Sequence, residues 1–190
     1  MDILRRSPTP PLKSGKRVFI RKPSPWDETE FIKKIVASKN FHYPYIVNKL
    51  HGSFFKQYLL RFEGKSEGHL VCSLANDEII GVININDIVK GAFFNGYLGY
   101  YVFKQYAGQG FMSEGFKLVM DRAFTDMKLH RLEANTQPTN EASKNFLKRH
   151  GFTREGFSPR YLKVAGRWRD HERWALLKDD WLVLQTNNGF

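Results

Sequence analysis

The residues with the clearest chemical potential form one run, Gln105-Tyr106-Ala107-Gly108-Gln109-Gly110-Phe111-Met112. Gly108 and Gly110 remove side chains where the backbone turns, and Met112, Phe116, Val119, Met120, Ala123, Phe124 and Met127 then recur at helical spacing. A glycine turn that opens a helix leaves the first helical amides free, with the positive end of the helix dipole behind them. Such a turn either accepts an anion, best a phosphate or pyrophosphate, or stands as a tight turn without a ligand. The third glycine of the dinucleotide fingerprint and the Gly-Lys-Ser/Thr of the ATP loop are both missing, which argues against those two nucleotide folds. About thirty residues later Asn140-Glu141-Ala142-Ser143 opens another helix, which stops at His150-Gly151-Phe152. Asn140 suits the N-cap of that helix, and Ser143 puts a hydroxyl in its first turn, either as a second cap or as a donor to a reactant. Between the two groups Arg131, Glu133, Asn135 and Gln137 alternate with Leu132, Ala134 and Thr136, a strand pattern whose polar face needs water or a ligand. Glu133 is therefore a candidate base, or simply the ion-pair partner of Arg131. Near the C-terminus Asp170 and His171 lie across a hairpin from Tyr161, a trio suited to shaping an acceptor pocket.

These groups need a sheet to hold them. The aromatic and β-branched run Tyr97 to Phe103 reads as the strand entering the glycine turn, the last part of an antiparallel meander over His69 to Leu74, Ile79 to Ile88 and Ala92 to Phe103. Gly81 within the second strand marks a bulge or a close backbone approach. Upstream, Val18 to Arg21 is a short strand, and Asp27 is placed to cap a helix over Glu28 to Ser38 with Phe31, Ile32, Ile35 and Val36 on one face. Phe41-His42-Tyr43-Pro44-Tyr45 is an irregular aromatic segment, followed by a helix over Ser53 to Phe62. Glu114, in the first turn of the glycine-turn helix, reads as a dipole-stabilising residue. Gly156 to Val164 and Arg167 to Leu177 pair through Ala165-Gly166, and Asp179-Asp180-Trp181 ends the folded part. The organisation expected is a flexible basic arm over 1–16, one α/β domain over 17–181 and a tail over 182–190.

A chain of 190 residues with 42% hydrophobic content supports one sizeable core. Its single cysteine, Cys72, sits in Leu70-Val71-Cys72-Ser73-Leu74 as a small core residue; it excludes an intramolecular disulfide and leaves no metal site in view. No apolar run approaches bilayer length, and the first residues carry charges and prolines where a signal peptide has an apolar stretch, so the expected location is the cytoplasm, without a membrane partner. Thirty Lys and Arg against nineteen Asp and Glu give a net charge of +11. That balance either attracts a polyanion, such as RNA or an acidic peptide, or is spread over a solvated surface. Whether the chain is a monomer or a dimer stays open.

Gln-x-x-Gly-x-Gly followed by an Asn-x-x-Ser helix that ends in Gly-Phe resembles the GNAT superfamily of N-acetyltransferases. With Gly96-Tyr97-Leu98-Gly99-Tyr100, His130-Arg131, Pro138-Thr139-Asn140, Gly151-Phe152-Thr153-Arg154-Glu155-Gly156 and Trp168-Arg169-Asp170-His171, the chain is similar to the RimJ/RimL branch, and within it to the RimJ group. These are the ribosomal-protein N-terminal acetyltransferases, and the resemblance covers roughly residues 17 to 181. It implies a single-domain GNAT fold, with a mixed, mostly antiparallel sheet splayed at the acetyl-CoA site and flanked by helices. By the same resemblance the pantetheine of acetyl-CoA pairs with the backbone at Tyr100, Tyr101 and Val102. The pyrophosphate would meet Gln105, Gly108, Gln109, Gly110, Phe111 and Met112, and Asn140 would face the cofactor. The 41–45 segment would form one wall of the acceptor groove. Many family members place a tyrosine seven residues after the asparagine, to bond the departing sulfur; here that residue is Leu147. Ser143 is the nearest hydroxyl and takes the donor role, as the serine of the RimJ/RimL branch implies.

The implied reaction is direct transfer of acetyl from a thioester to an amine. An α-amine, with a pKa of about 7.7 to 8.0, is partly neutral near pH 7, whereas a lysine near 10.4 needs a correction of about 4 kcal/mol. A site without a strong histidine or paired-carboxylate base suits the α-amine, consistent with the N-terminal Ala or Ser of a ribosomal protein as acceptor. A small-molecule amine acetyltransferase, and a CoA- or ribosome-binding protein without turnover, are the alternatives.

Overall fold

The computed structural model describes residues 9–46 and 52–188. Eight strands make one open sheet: β1 (Lys13–Ser14), β2 (Val18–Arg21), β3 (Glu67–Ser73), β4 (Ile79–Val89), β5 (Asn95–Val102), β6 (Arg131–Thr136), β7 (Thr153–Val164) and β8 (Arg167–Leu177). Their spatial order is β1-β2-β3-β4-β5-β6-β8-β7, and every neighbouring pair is antiparallel except β5 and β6. A parallel pair needs a crossover. Here it is α3 (Phe111–Asp121), extended by one π turn over Arg122–Asp126.

The site depends on where the parallel pairing stops. β5 and β6 pair from Asn95 and Arg131 as far as Leu98 and Ala134. Beyond that point β5 stays on β4, through Val102 against Gly81, while β6 stays on β8, through Thr136 against Glu172. The two strands part, and Tyr100 fills the wedge with its ring 5.3 Å from Phe146 and 5.2 Å from Phe116. Gly81 is needed opposite the wedge, because a Cβ there would lie 2.6 Å from the Tyr101 carbonyl oxygen.

Each face of the sheet carries its own core. Under α3, α4 (Glu141–Arg149) and α5 (Lys178–Asn188) lie Phe116, Val119, Phe124, Leu147 and Trp181 against Ile83, Leu132 and Ala134. Under α1 (Glu28–His42) and α2 (Phe54–Leu60) lie Phe31, Ile35, Phe55 and Tyr58 against Leu70, Val82 and Phe103. Burying each such side chain contributes about 1.5 to 3 kcal/mol. Cys72 is fully buried, and burial pushes its thiol up to about 12, as befits a small core residue.

The structure departs from the sequence reading in four places. Residues 1–8 lie outside the described residues, but the rest of the expected arm is tied to the sheet. Leu12 N–H donates to the Ile20 carbonyl at 2.8 Å, and Lys13 pairs with Asp121 at 2.6 Å. Asp27 does not cap α1 with its side chain. Its buried carboxylate accepts both Nη groups of Arg21, at 2.9 and 2.7 Å, and the Ser24 amide at 2.7 Å. α1 runs four residues past Ser38, to His42, and carries the first part of the aromatic segment with it. The expected tail is largely the helix α5, begun before Trp181, whose buried ring lies 5.3 Å from Phe124.

Candidate active site

After β5 the chain makes a short 3-10 turn, Lys104–Tyr106, and then the glycine turn. Tyr106 anchors it. Its hydroxyl donates to Glu78 and accepts from Lys34 at 3.2 Å, and its ring stands edge-on to Phe111. Gly108 and Gly110 have φ of 75° and 80°, a left-handed backbone that glycine adopts without a steric cost. Gly110 is the N-cap of α3, and its carbonyl receives the Glu114 amide at 3.2 Å. The amides of Phe111, Met112 and Ser113 therefore precede the first intrahelical bond. A Cβ on Gly108 would meet nothing within 4 Å, whereas one on Gly110 would lie 3.3 Å from Nη2 of Arg17.

Arg17, brought in by the β1–β2 turn, supplies a cation at this point. Its Nη1 donates to the Gln109 carbonyl at 3.2 Å, its Nε pairs with Glu114 at 3.1 Å, and its guanidinium lies 4.6 Å over the Phe111 ring. Burial raises the Glu114 carboxyl, but the Arg17 amide and guanidinium and the Val18 amide outweigh that and hold it below the usual range. Glu114 thus does more than complement the helix dipole, because it fastens α3 to the edge of the sheet. Open space over Gly108, amides that precede the first helical bond and a neighbouring guanidinium together fit a pyrophosphate.

A cavity of about 450 Å³ leads from this turn into the split between β5 and β6. Gly108, Gly110 and Met112 line its outer end, Tyr100, Tyr101 and Val102 its β5 side, and Asn140, Ser143 and Arg149 its α4 side. Phe103 N–H donates to Ile80 on β4, so by strand alternation the amides and carbonyls of Val102 and Tyr100 point the other way, into the split. A backbone edge of this kind, here engaged at the Val102 carbonyl by a side chain and not by a strand, is what an added strand, or a pantetheine arm with two amides, requires. The end of α1 forms the remaining wall. His42 Nε2 donates to the Val102 carbonyl at 2.8 Å, and the Tyr45 hydroxyl donates to the Thr139 carbonyl at 2.8 Å, so the 42–45 segment bridges the two lips of the split. Burial lowers the His42 imidazole below its usual pKa, outweighing the carbonyl contact, and keeps it neutral at pH 7.

At the inner end two hydroxyls meet. Ser143 Oγ and the Tyr100 hydroxyl are 2.8 Å apart, while the Ser143 amide donates to Asn140 Oδ1 at 3.1 Å. Asn140 therefore caps α4 and fixes the turn that carries Ser143. Burial raises the Tyr100 phenol well above its usual pKa, only partly offset by Ser143, so it remains a donor. Leu147 is fully buried in the core and offers nothing to this end of the cavity.

Not every residue singled out from sequence lines the cavity. Gln105, Gln109 and Phe111 surround the outer side of the turn, where Gln109 Nε2 donates to the Gln105 carbonyl at 2.7 Å. Glu133 faces the opposite side of the sheet, in register with Tyr97 and Ala175, and its carboxylate accepts Arg131 Nε at 3.0 Å. Tyr161 and His171 pair edge-on at 6.0 Å on that same α1/α2 side. His171 and Asp170 form no relay, since His171 Nδ1 meets the Arg169 carbonyl and Asp170 accepts the Arg160 amide. None of Glu133, Tyr161 and His171 lines the cavity. Arg17 and the Tyr100 hydroxyl escaped sequence reasoning, and His42 was read only as part of the 41–45 wall, without its bond to β5. Arg17 comes from a stretch read as the edge of the arm, and only the fold brings His42 across to β5.

Comparison with known proteins agrees with this geometry. Residues 17–153 match the acetyltransferase (GNAT) domain family. The chain is similar to the probable N-acetyltransferase YjcK of Bacillus subtilis, 36% identical over 125 residues that make up 65% of this chain and 69% of that protein. It is also 39% identical, over 104 residues, to the ribosomal protein uS5-alanine N-acetyltransferase of Escherichia coli. That match takes in 55% of this chain and 54% of the relative, about half the length of each. Among solved structures, the ribosomal-protein-S5-alanine acetyltransferase of Vibrio fischeri superimposes with a TM-score of 0.79 at 26% identity, over 89% of this chain and 97% of that one. The protein therefore belongs to the GNAT acetyltransferases and is an acyltransferase that uses acetyl-CoA.

Proposed function

We propose that this enzyme acetylates the N-terminal α-amine of a protein, and that the acceptor is a ribosomal protein with an N-terminal Ala or Ser. The carrying observation is the cavity lining. Among the described residues it has a cation, Arg149, and hydroxyls, but no carboxylate. A site for a polyamine or another cationic small molecule needs uncompensated negative charge where the amine docks; the lining has none, and Glu133, the carboxylate that borders the approach, is neutralised by its pair with Arg131. A partly neutral α-amine needs only a weak base, and the similarity to the uS5-alanine enzyme supports the choice of acceptor.

Acetyl-CoA supplies an acetyl group activated as a thioester. In the proposed arrangement the glycine turn, Arg17 and Arg149 receive the phosphates. The backbone edge of Tyr100 and Val102 holds the pantetheine amides, with His42 yielding the Val102 carbonyl. The acceptor amine enters from the α1/α2 face, where Glu133, in its pair with Arg131, Tyr161 and His171 border the approach. As the new C–N bond forms and the C–S bond breaks, Ser143 donates a hydrogen bond toward the sulfur, and the proton shed by the amine passes to water. Tyr100 donates to Ser143 Oγ and so turns the serine hydrogen outward. A departing thiol has a pKa near 8.5, so a hydrogen bond is enough and a full proton transfer is not required.

The test is N-terminal mass analysis of purified ribosomal protein uS5 carrying a free N-terminal Ala, incubated with the enzyme and acetyl-CoA. The expected result is one acetyl group, located on the first residue. Acetylation confined to lysines, or to a polyamine included in the same mixture, would refute the reading.

A further inference from the structure

Ser113 is the third residue of α3 and lines the cavity at its glycine-turn end, where the cofactor phosphates lie on the reading above. Its Oγ is 2.8 Å from Nε2 of His150, the C-cap residue of α4. His150 is 2% exposed, with ring contacts of 4.9 Å to Phe116 and 4.3 Å to Phe146. Its other nitrogen, Nδ1, is 2.8 Å from the Phe146 carbonyl oxygen.

This geometry fixes the tautomer. A carbonyl only accepts, so Nδ1 carries a hydrogen, and in the neutral ring Nε2 then has only a lone pair. The Ser113 hydroxyl must donate into that lone pair, which leaves its own lone pairs turned toward the cavity. Phosphate oxygens are acceptors too, so this state of Ser113 opposes them. When His150 takes up a proton, Nε2 becomes a donor, Ser113 accepts from it, and the serine hydrogen is released toward the cavity.

We propose that Ser113 is a phosphate contact of acetyl-CoA and that His150 is its positioning residue, so that cofactor binding is coupled to protonation of His150. The charged groups acting on the ring are Lys117 of α3 and Arg149 of α4, both positive, and its other close neighbours are the two phenylalanine rings. Burial lowers the free protein's His150 below the ordinary 6.5, and the two cations add to that against the Phe146 and Ser113 contacts, so it is neutral at pH 7. A bound phosphate opposes these effects and raises it. The complex then holds more protons than the free protein, so affinity rises as pH falls through the window between the two values. Each unit of displacement corresponds to about tenfold in affinity between the ends of that window.

The experiment follows the His150 imidazole by NMR in the full chain from about pH 5 to about pH 8, with and without CoA, using His150→Gln to assign the signal. The expected result is a rise of at least about one unit on adding CoA, and a smaller rise in Ser113→Ala at saturating CoA. Calorimetry in buffers of different ionisation heat should show proton uptake on CoA binding that Ser113→Ala and His150→Gln each reduce, and that the double variant reduces no further. An unmoved titration in the wild type, or a rise just as large in Ser113→Ala, overturns the coupling. Gly110→Glu separates the two levels of inference. If that variant still binds CoA, the placement of the phosphates is wrong, whereas loss of binding there with an unmoved His150 in the wild type sinks the coupling alone.

Discussion

Replacing Ser143 by Ala deletes one oxygen at the inner end of the cavity and leaves the start of α4 intact, because the bond to Asn140 Oδ1 comes from the residue 143 backbone amide. The oxygen lost is the one 2.8 Å from the Tyr100 hydroxyl. A hydrogen bond to a charged acceptor contributes about 1.5 to 3 kcal/mol. If Ser143 makes that bond to the departing thiolate and not to the bound thioester, kcat falls by about 10-fold to about 150-fold. Affinity for acetyl-CoA should stay constant, since the phosphates are held at the opposite end of the cavity. Tyr100→Phe keeps the ring between Phe116 and Phe146 and removes only the donor behind Ser143. If Tyr100 acts through Ser143, the double variant is no slower than Ser143→Ala alone. The assay is steady-state release of free CoA thiol at saturating acceptor, with CoA affinity measured by calorimetry on the same preparations. A Ser143→Ala enzyme with unchanged kcat, or one whose loss lies wholly in CoA affinity, refutes the donor role.

Gly110→Glu places a carboxylate beside Arg17 on a backbone with φ of 80°, at a conformational cost of about 1 to 2 kcal/mol, and should abolish CoA binding by calorimetry while the protein still melts cooperatively. Arg21→Ala strands the buried Asp27 carboxylate, and a drop of about 3 to 5 kcal/mol is expected in urea unfolding. His42, His150 and His171 are all held below their unfolded pKa by burial, so the unfolded chain binds more protons as pH falls from about 6.5. The urea midpoint should therefore drop as pH falls below that value, and a midpoint constant from about pH 7 to about pH 5 would contradict the assigned neutral states.

Much of the fold was legible because its signals are local. The meander, the glycine turn and both cofactor-side helices follow from alternation, glycine placement and helical spacing over short stretches, and Gly108, Gly110, Asn140 and Ser143 stand where those signals put them. What stayed hidden is long-range. Lys13 meets Asp121, Arg17 meets Glu114, His42 meets Val102 and Ser113 meets His150 across separations that no periodicity reports. Asp27 shows the same limit in reverse. Its position has the sequence mark of a helix cap, but a buried guanidinium six residues upstream outcompetes the amides. Glu133 was placed by strand parity on a polar face, and only the register with Tyr97 and Ala175 shows that this face lies on the α1/α2 side of the sheet, away from the cavity lining. The C-terminal helix was missed because its exposed Leu182 and Val183 break the expected apolar stripe, while Trp181 goes deep and Leu184 packs part-buried against the same core.

The most direct test of the central claim is thiol release from acetyl-CoA by the purified protein, with two acceptor peptides of the same sequence that begins with Ala or Ser and contains a lysine. One peptide has a free N-terminus and the other is blocked there. Transfer to an α-amine predicts release with the free terminus and none above background with the blocked peptide. Equal release from both would place the acetyl group on lysine and contradict the account. No release from either, with CoA still bound, would leave the cofactor site standing and remove the N-terminal acceptor from it.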